Sequence, residues 1–467
     1  MNSLKFNKYE IILLKHYYKI NLLNNINKLD EFIKNLYLIK SCERENNGEV
    51  LTPVWLVNQM LDKLEKFYPG IFKSKNLKYF DHSAGVGIFF IELYKRLINN
   101  GIKKDYILKN MLYFSEYNKK NVFILKMIFG KNANINEGDT LKLNTVEKWG
   151  INKFDIILGN PPYNSGGIKT WKGDKLSKTE KNKTIWPDFI NYSLNHLNNN
   201  GYLISINPLT WIKSSSKEHT LLKYQIHYLE LWDSSYAKQK INAEIPLSWF
   251  ILQNKKYCNK TLIKSCDQRH NIFNTETYKI DYNKNLPFVY FSIFDKLYNF
   301  TKKYGKFEVL NKKINGNGEK IEINKINKNN LDNYGIDTYL LNKGIMMKKI
   351  NKKDIIEEHK KYKLIFANKT TLKNSIIDNI GYNICGNDNL YILDIDNLDL
   401  LHNYFNSKII NFIVINCKYR GQFIEKLIFD YIPDIRNINE LKNKYDENKL
   451  YKLIGLTKEE INIINKF

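Results

Sequence analysis

Phe154-Asp155-Ile156-Ile157-Leu158-Gly159-Asn160-Pro161-Pro162-Tyr163 reads as a short apolar strand that runs into a rigid turn. Aromatic and β-branched residues favour the pleated backbone before Gly159. Two successive prolines then fix φ and remove two N–H donors, so neither ladder nor helix continues through them. The chain has only nine prolines, and an Asn-Pro-Pro-Tyr would arise by chance roughly once in several hundred such chains. Its position also carries meaning, because open α/β sheets bind ligands at the C-terminal ends of their strands.

The stretches around it extend the same pattern. Leu77–Phe80, Met111–Ser115, Tyr202–Ile206, His227–Trp232 and Leu247–Leu252 are further apolar runs separated by amphipathic stretches. That alternation predicts an α/β domain with a mainly parallel sheet over residues 49–255. The last two runs have no clear helix between them and are expected as an antiparallel pair at one sheet edge. Residues 1–48 form a helical segment ahead of it. Thr52-Pro53 reads as an N-cap followed by proline at the first helical position. The helix it opens carries Val57, Met60, Leu61, Leu64 and Phe67 on one face. Beyond 255 the rhythm changes. Asn315-Gly316-Asn317-Gly318 reads as a turn, and apolar runs at Leu364–Ala367, Leu390–Leu393 and Lys408–Ile415 show that 336–435 is folded; a second, α+β domain is expected over 256–467.

Lys and Arg number 73 against 48 acids, a formal charge of +25, which favours a polyanionic partner. Only five of the basic residues are Arg, and 65 residues are Asn. Lys, Asn, Ile and Tyr share AT-rich codons, which inflates the lysine count without explaining the shortage of acids. Cys42, Cys258, Cys266, Cys385 and Cys417 are odd in number and scattered, as expected of a reducing compartment. Cys258, Cys266 and His270 lack metal-ligand spacing, so no metal site is expected. No run approaches the roughly 18 apolar residues of a membrane span, and the start lacks the apolar core of a signal peptide. A soluble, cytoplasmic protein is the expectation, with no membrane partner.

Three further features bear on chemistry. In Asp81-His82-Ser83-Ala84-Gly85-Val86-Gly87 a strand enters a loop whose two glycines permit close backbone approach to a cofactor. Glu116 ends the next strand, where an acid can hold ribose hydroxyls. Asp139 follows a third short apolar stretch and could accept from an adenine amine. The tetrad itself suits an aromatic amine, whose lone pair is delocalised into its ring. The Asn160 side-chain oxygen and the Pro161 carbonyl can accept both amine hydrogens and free that lone pair, while Pro162 stiffens the turn. Tyr163 offers a ring on which a planar base stacks.

In these motifs the sequence resembles the S-adenosylmethionine-dependent amino-methyltransferases, and more narrowly the DNA adenine-N6 methyltransferases in which cofactor motifs precede catalysis and a recognition domain follows. The resemblance spans residues 50–255. It implies a Rossmann-like class I methyltransferase domain followed by an α+β target recognition domain. Asn160, Pro161, Pro162 and Tyr163 would be the catalytic tetrad. Thr52, Pro53, Asp81, Ser83, Gly85, Gly87, Glu116, Asp139 and Asn160 would bind S-adenosyl-L-methionine, with Thr52-Pro53 closing over its methionine moiety. Trp186-Pro187-Asp188-Phe189 and Gly201–Pro208 resemble the helix and strand after catalysis. Tyr236 is the candidate second aromatic against a flipped base. The loop departs from the family pattern at His82, where proline is usual. The implied partners are double-stranded DNA and a separate cognate restriction endonuclease, and the chain is expected as a monomer. Similar tetrads serve enzymes acting on RNA bases and on protein glutamine, and a catalytically inactive specificity protein is the alternative of another class.

Overall fold

The computed structural model describes residues 4, 6–47, 51–164, 183–340, 344–351, 356–367, 372, 375–387, 389–417, 419 and 424–467. It separates into two compact units, Met1–Tyr282 and Asn283–Phe467.

The first unit is built on one nine-stranded sheet. In chain order its strands are β1 (Tyr79–Asp81), β2 (Leu112–Glu116), β3 (Asn134–Glu137), β4 (Phe154–Gly159), β5 (Leu197–Pro208), β6 (Tyr224–Trp232), β7 (Leu247–Lys256), β8 (Thr261–Asp267) and β9 (Ile272–Tyr278). Their order across the sheet is β3-β2-β1-β4-β5-β7-β6-β8-β9. β1 pairs parallel with both β2 and β4, β2 with β3, and β4 with β5. The chain winds outward from β1 to β3 and then returns to β4 on the other side of β1. A topological switch point therefore lies between β1 and β4, and a crevice opens at their C-terminal ends.

Helices cover both faces, as parallel strands buried on both sides require. On one face Ile156, Leu158, Ile204, Ile206 and Ile251 pack under the helices Val54–Phe67, Ile88–Asn99 and Lys119–Phe129. On the other, Phe80 stacks on Phe154 at 4.7 Å and meets Trp149 at 6.0 Å, while Trp211 packs edge-on to Phe250. This is the Rossmann-like class I arrangement that the motifs imply.

The boundaries differ from those read in the sequence. β6 and β7 do pair antiparallel, but β7 is inserted between β5 and β6, and β8 and β9 continue the sheet beyond them. A short helix, Ser234–Ile241, also joins β6 to β7. Because β8 is hydrogen-bonded to β6 along Tyr228–Trp232, the unit ends at Tyr282 rather than 255. The N-terminal segment is likewise part of this unit. Its helix Lys8–Tyr17 opens on an Asn7–Glu10 capping box. Buried Glu10 takes Lys120 Nζ at 3.0 Å from helix Lys119–Phe129, and Leu14, Tyr17 and Phe32 enter the common core.

The second unit is mixed α+β. It has a four-stranded sheet of β10 (Gly316–Glu322), β12 (Gly344–Ile350), β11 (Tyr334–Leu340) and β15 (Asn383–Ile384), and a three-stranded sheet of β14 (Ile376–Asp378), β13 (Lys363–Ala367) and β16 (Asn389–Leu393). Helices at Phe291–Tyr304, Leu398–Phe405, Lys408–Asn416, Glu447–Ile454 and Lys458–Ile464 accompany them. The turn expected at Asn315–Gly318 is instead the entry to β10, whose register against β12 shifts after Asn317. Tyr404, Phe405 and Tyr431 are buried packing residues of this unit. Tyr431 hydrogen-bonds the Asn285 carbonyl at 2.5 Å.

Candidate active site at the C-terminal edge of the sheet

Strand register brings the sequence-selected residues to one edge. Asp81 lies opposite Phe114 of β2 and Leu158 of β4. Glu116 ends β2 opposite Glu137, and Gly159 ends β4 opposite Ser205. Asp81 and Asn160 thus flank the switch point on neighbouring strands, Asn160 two residues beyond Leu158, the register partner of Asp81.

The tetrad is tied to the segment before helix Val54–Phe67. Asn160 Nδ2 donates to Thr52 Oγ1 at 3.3 Å, and the Tyr163 hydroxyl donates to Asn160 Oδ1 at 3.1 Å. These two bonds hold the amide between two hydroxyls, with its oxygen on the Tyr163 side. Pro161 is buried, Pro162 is exposed and Tyr163 half-buried. Thr52 is not a helix cap. Pro53 itself occupies the capping position, with φ −63° and ψ 143°, and no side chain caps the helix. The Thr52 hydroxyl sits one residue too early and serves Asn160 instead.

The glycine loop is held from below. Gly85 takes φ +54°, and its N–H donates to Glu116 Oε2 at 2.7 Å. Glu116 Oε1 accepts from Asn118 N at 2.7 Å, so this carboxylate shapes the loop besides facing its edge. A Cβ on Gly85 would meet nothing within 4 Å, whereas one on Gly87 (φ +89°) would lie 2.8 Å from Leu125 and Phe129. Gly85 leaves room above the loop, and Gly87 lets helix Ile88–Asn99 close onto helix Lys119–Phe129. His82 buries its ring against Phe189 at 5.5 Å. Its carbonyl accepts from Thr140 Oγ1 at 2.7 Å. Burial pulls its pKa down to about 3, so the ring is neutral.

Asp81 is fully buried. Its Oδ1 accepts from Ser83 N at 3.0 Å, and Oδ2 has no hydrogen-bond partner among the described residues. Desolvation pushes its pKa up to about 8. Asp139 caps the turn Thr140–Lys142 through Leu141 N at 3.0 Å, with Lys142 at 4.0 Å. Tyr236 lies in helix Ser234–Ile241, edge-on to Trp232 at 5.4 Å and Phe273 at 5.8 Å. The strand that precedes this helix, β6, is three positions from β4.

Gly159 was not singled out in the sequence, although its place directly before Asn160 is a signal. A Cβ there would come within 2.9 Å of Asp81 Oδ1 and 3.0 Å of His82 Cε1 and Ser83 Oγ. Only glycine lets the tetrad strand press against the glycine loop.

Cys258 and Cys266 have separate surroundings: Gln225 for the first, Glu230 for the second. His270 pairs with Asp267 at 2.7 Å. Among the described residues no cluster of three possible metal ligands occurs, and no helix is long and apolar enough to cross a membrane. A groove of about 550 Å³ runs along Trp55, Asn58, Gln59, Asp62, Lys63 and Lys66, and none of the motif residues lines it.

Residues 107–235, from the approach to β2 through β6, match the family described as Eco57I restriction-modification methylase. No curated protein matches the chain. Solved structures similar to it include a type I restriction-modification methyltransferase subunit from Streptococcus thermophilus, at 18% identity and TM-score 0.38, covering 53% of this chain and 54% of that one. The type IIL restriction-modification enzyme MmeI, solved in complex with DNA, is 12% identical at TM-score 0.47, covering 88% and 67%. The type IIG restriction endonuclease BpuSI is 10% identical at TM-score 0.43, covering 96% and 65%. The chain spans about half to two thirds of these proteins' lengths.

Proposed function

Taking as premise a methylase segment of the Eco57I restriction-modification family within the first unit, we propose that this chain methylates N6 of adenine in double-stranded DNA, using S-adenosyl-L-methionine. The observation that carries the reading is the Thr52–Asn160–Tyr163 chain of hydrogen bonds at the switch point, which restrains the Asn160 amide between two hydroxyls.

The residues suit the cofactor. Asp81 holds an unpartnered buried oxygen ready for a donor or cation, Gly85 leaves its Cβ position open, and Glu116 and Asp139 follow at successive strand ends. S-adenosyl-L-methionine would supply an electrophilic methyl group and leave as S-adenosylhomocysteine. Asn160 Oδ1 and the Pro161 carbonyl accept the two N6 hydrogens of an adenine flipped from the duplex, and so localise the nitrogen lone pair. Tyr163 stacks on the base, and Tyr236 is the candidate ring on its other side. Positioning supplies most of the rate, since the sulfonium methyl is already activated. The second unit is the target recognition domain in this reading. The charge of +25 would be spent largely on phosphate contacts, which set affinity and its salt dependence. A separate endonuclease would complete the restriction-modification pair.

The test is transfer of labelled methyl to unmethylated duplex DNA, with wild type beside Asn160→Ala and digestion to nucleosides afterwards. Label in N6-methyladenine from wild type, at least a hundred-fold reduced in the variant, is the expected result. Label in RNA or protein instead would overturn the substrate, and undiminished transfer by Asn160→Ala would overturn the site.

A further inference from the structure

β6 carries an acid in the middle of an apolar strand, Tyr228-Leu229-Glu230-Leu231-Trp232. Glu230 is 1% exposed, and both of its oxygens are saturated. Oε2 accepts from the Tyr228 hydroxyl at 2.7 Å and from Gln59 Nε2 at 3.0 Å. Oε1 accepts from Trp232 Nε1 and from Lys264 Nζ, each at 3.0 Å, and meets the Cys266 thiol at 3.7 Å. Burial, and then Glu230 itself, pushes that thiol up to about 12, so it remains a weak donor. Lys63 sits over the Tyr228 ring at 4.8 Å.

No step of the proposed reaction uses this carboxylate. An apolar side chain of similar volume would fill the space without desolvating a charge. Two of its partners lead to the reaction site. Gln59 lies on helix Val54–Phe67, about 7.5 Å along from its first residue at 1.5 Å per residue, and Thr52, two residues before that start, holds Asn160. Trp232 ends β6, and its ring packs against Tyr236.

We infer that Glu230 is a positioning residue of this site, fastening helix Val54–Phe67, and through it Thr52, to the strand end that carries Tyr236. The inference rests on the methyltransferase reading. The carboxylate sets where the helix stands along its axis, so loosening it lets Thr52 drift from Asn160 and from the methionine end of the cofactor. A purely structural role would lower stability and leave cofactor affinity alone.

Calorimetric titration of S-adenosyl-L-methionine into the full chain separates the two. Gln59→Leu keeps volume and removes one bond to Glu230; Thr52→Val removes the hydroxyl that meets Asn160. Each single variant is expected to weaken cofactor binding about five-fold. The double variant should also stay near five- to ten-fold, well short of the roughly 25-fold that independent sites would give. Glu230→Gln, which keeps an acceptor, should bind cofactor more tightly than Glu230→Met. Unchanged affinity in Gln59→Leu, even with a lowered melting temperature, or a multiplicative double variant, would overturn the inference. A wild-type chain that binds no cofactor would overturn the functional reading, and the inference with it.

Discussion

Asp81 and Glu230 are carboxyl groups buried on the same face of one sheet, yet the fold treats them in opposite ways. Glu230 receives four N–H or O–H donors and a thiol, whereas Asp81 receives one backbone N–H and keeps an oxygen without a partner. A buried carboxylate is stabilised as an anion only by charge or hydrogen bonds that replace water. With them, Glu230 becomes a fastener. Without them, Asp81 has its pKa pushed up to about 8 and holds its proton at neutral pH. What the fold withholds from Asp81, a ligand can supply, and that contrast separates a structural acid from a binding one.

The largest expected effect follows from removing the saturated acid. Glu230→Ala leaves Lys264, Trp232, Tyr228 and Gln59 without their shared acceptor, and breaking such a buried network costs about 3–5 kcal/mol. Asp81→Ala strands only the Ser83 N–H and should cost clearly less. Urea unfolding of both variants measures this, and equal losses would break the comparison.

The pH dependence of Asp81 sharpens it. Its folded value near 8 lies above the roughly 3.9 of an unfolded aspartate. Between those values the folded chain keeps a proton that the unfolded chain has released. The stabilising contribution is therefore full below about pH 4 and is lost as pH rises to about 8. Asp81→Asn mimics the protonated form and removes that loss. Without cofactor it should melt near wild type at about pH 4 and progressively above wild type as pH rises to about 8. It should nevertheless bind S-adenosyl-L-methionine at least about ten-fold more weakly, a difference of roughly 1.4 kcal/mol. A variant no more stable at pH 8 would mean that Asp81 is already ionised in the free protein.

Gly159→Ala tests the contact behind Asp81. Its Cβ would press on Asp81, His82 and Ser83 at about 3 Å, and the displaced loop should cost about 1–3 kcal/mol of stability. A misplaced tetrad should cost activity about a hundred-fold, measured against cofactor affinity in the same preparation.

The strand end and rigid turn at 159–163 were legible because their signal is local: prolines, an aromatic and a strand end within ten residues. The parallel core strands were legible for the same reason, as each is a continuous apolar run. What escaped depends on contacts distant in sequence or on strands that are only half-buried. β3 reads Asn134-Ile135-Asn136-Glu137, with only Ile135 buried, so it was legible as a short apolar stretch before Asp139 but not as an edge strand. β9 alternates exposed and half-buried residues after Ile272, so no continuous apolar run marks it. The Thr52–Asn160 bond spans 108 residues, and no spacing rule reaches that far. Local logic favoured the wrong reading there, because Thr-Pro is a good helix opening in isolation. Glu230 did leave a trace, a lone acid inside Tyr228–Trp232, since a charge in the middle of a buried strand needs donors from elsewhere.

The smallest effect concerns the tetrad's own aromatic. Tyr163 has two separable parts: a ring for stacking and a hydroxyl that donates to Asn160 Oδ1 at 3.1 Å. That bond occupies one lone pair of the oxygen and leaves the other for the target amine, while Thr52 takes the amide nitrogen side. Tyr163→Phe keeps the ring and frees the amide to rotate. Losing one such hydrogen bond costs about 1 kcal/mol, so kcat should fall about five-fold with KM for DNA little changed. Tyr163→Ala also removes the stacking surface, worth about 1–3 kcal/mol per base, and should raise KM for DNA as well. Single-turnover rates with saturating cofactor distinguish the cases. If Tyr163→Phe loses as much as Tyr163→Ala, the hydroxyl rather than the ring is the reason for a tyrosine at this position. The tetrad would then resemble Glu230 more than Asp81, as a group defined by the donors it receives from its own fold.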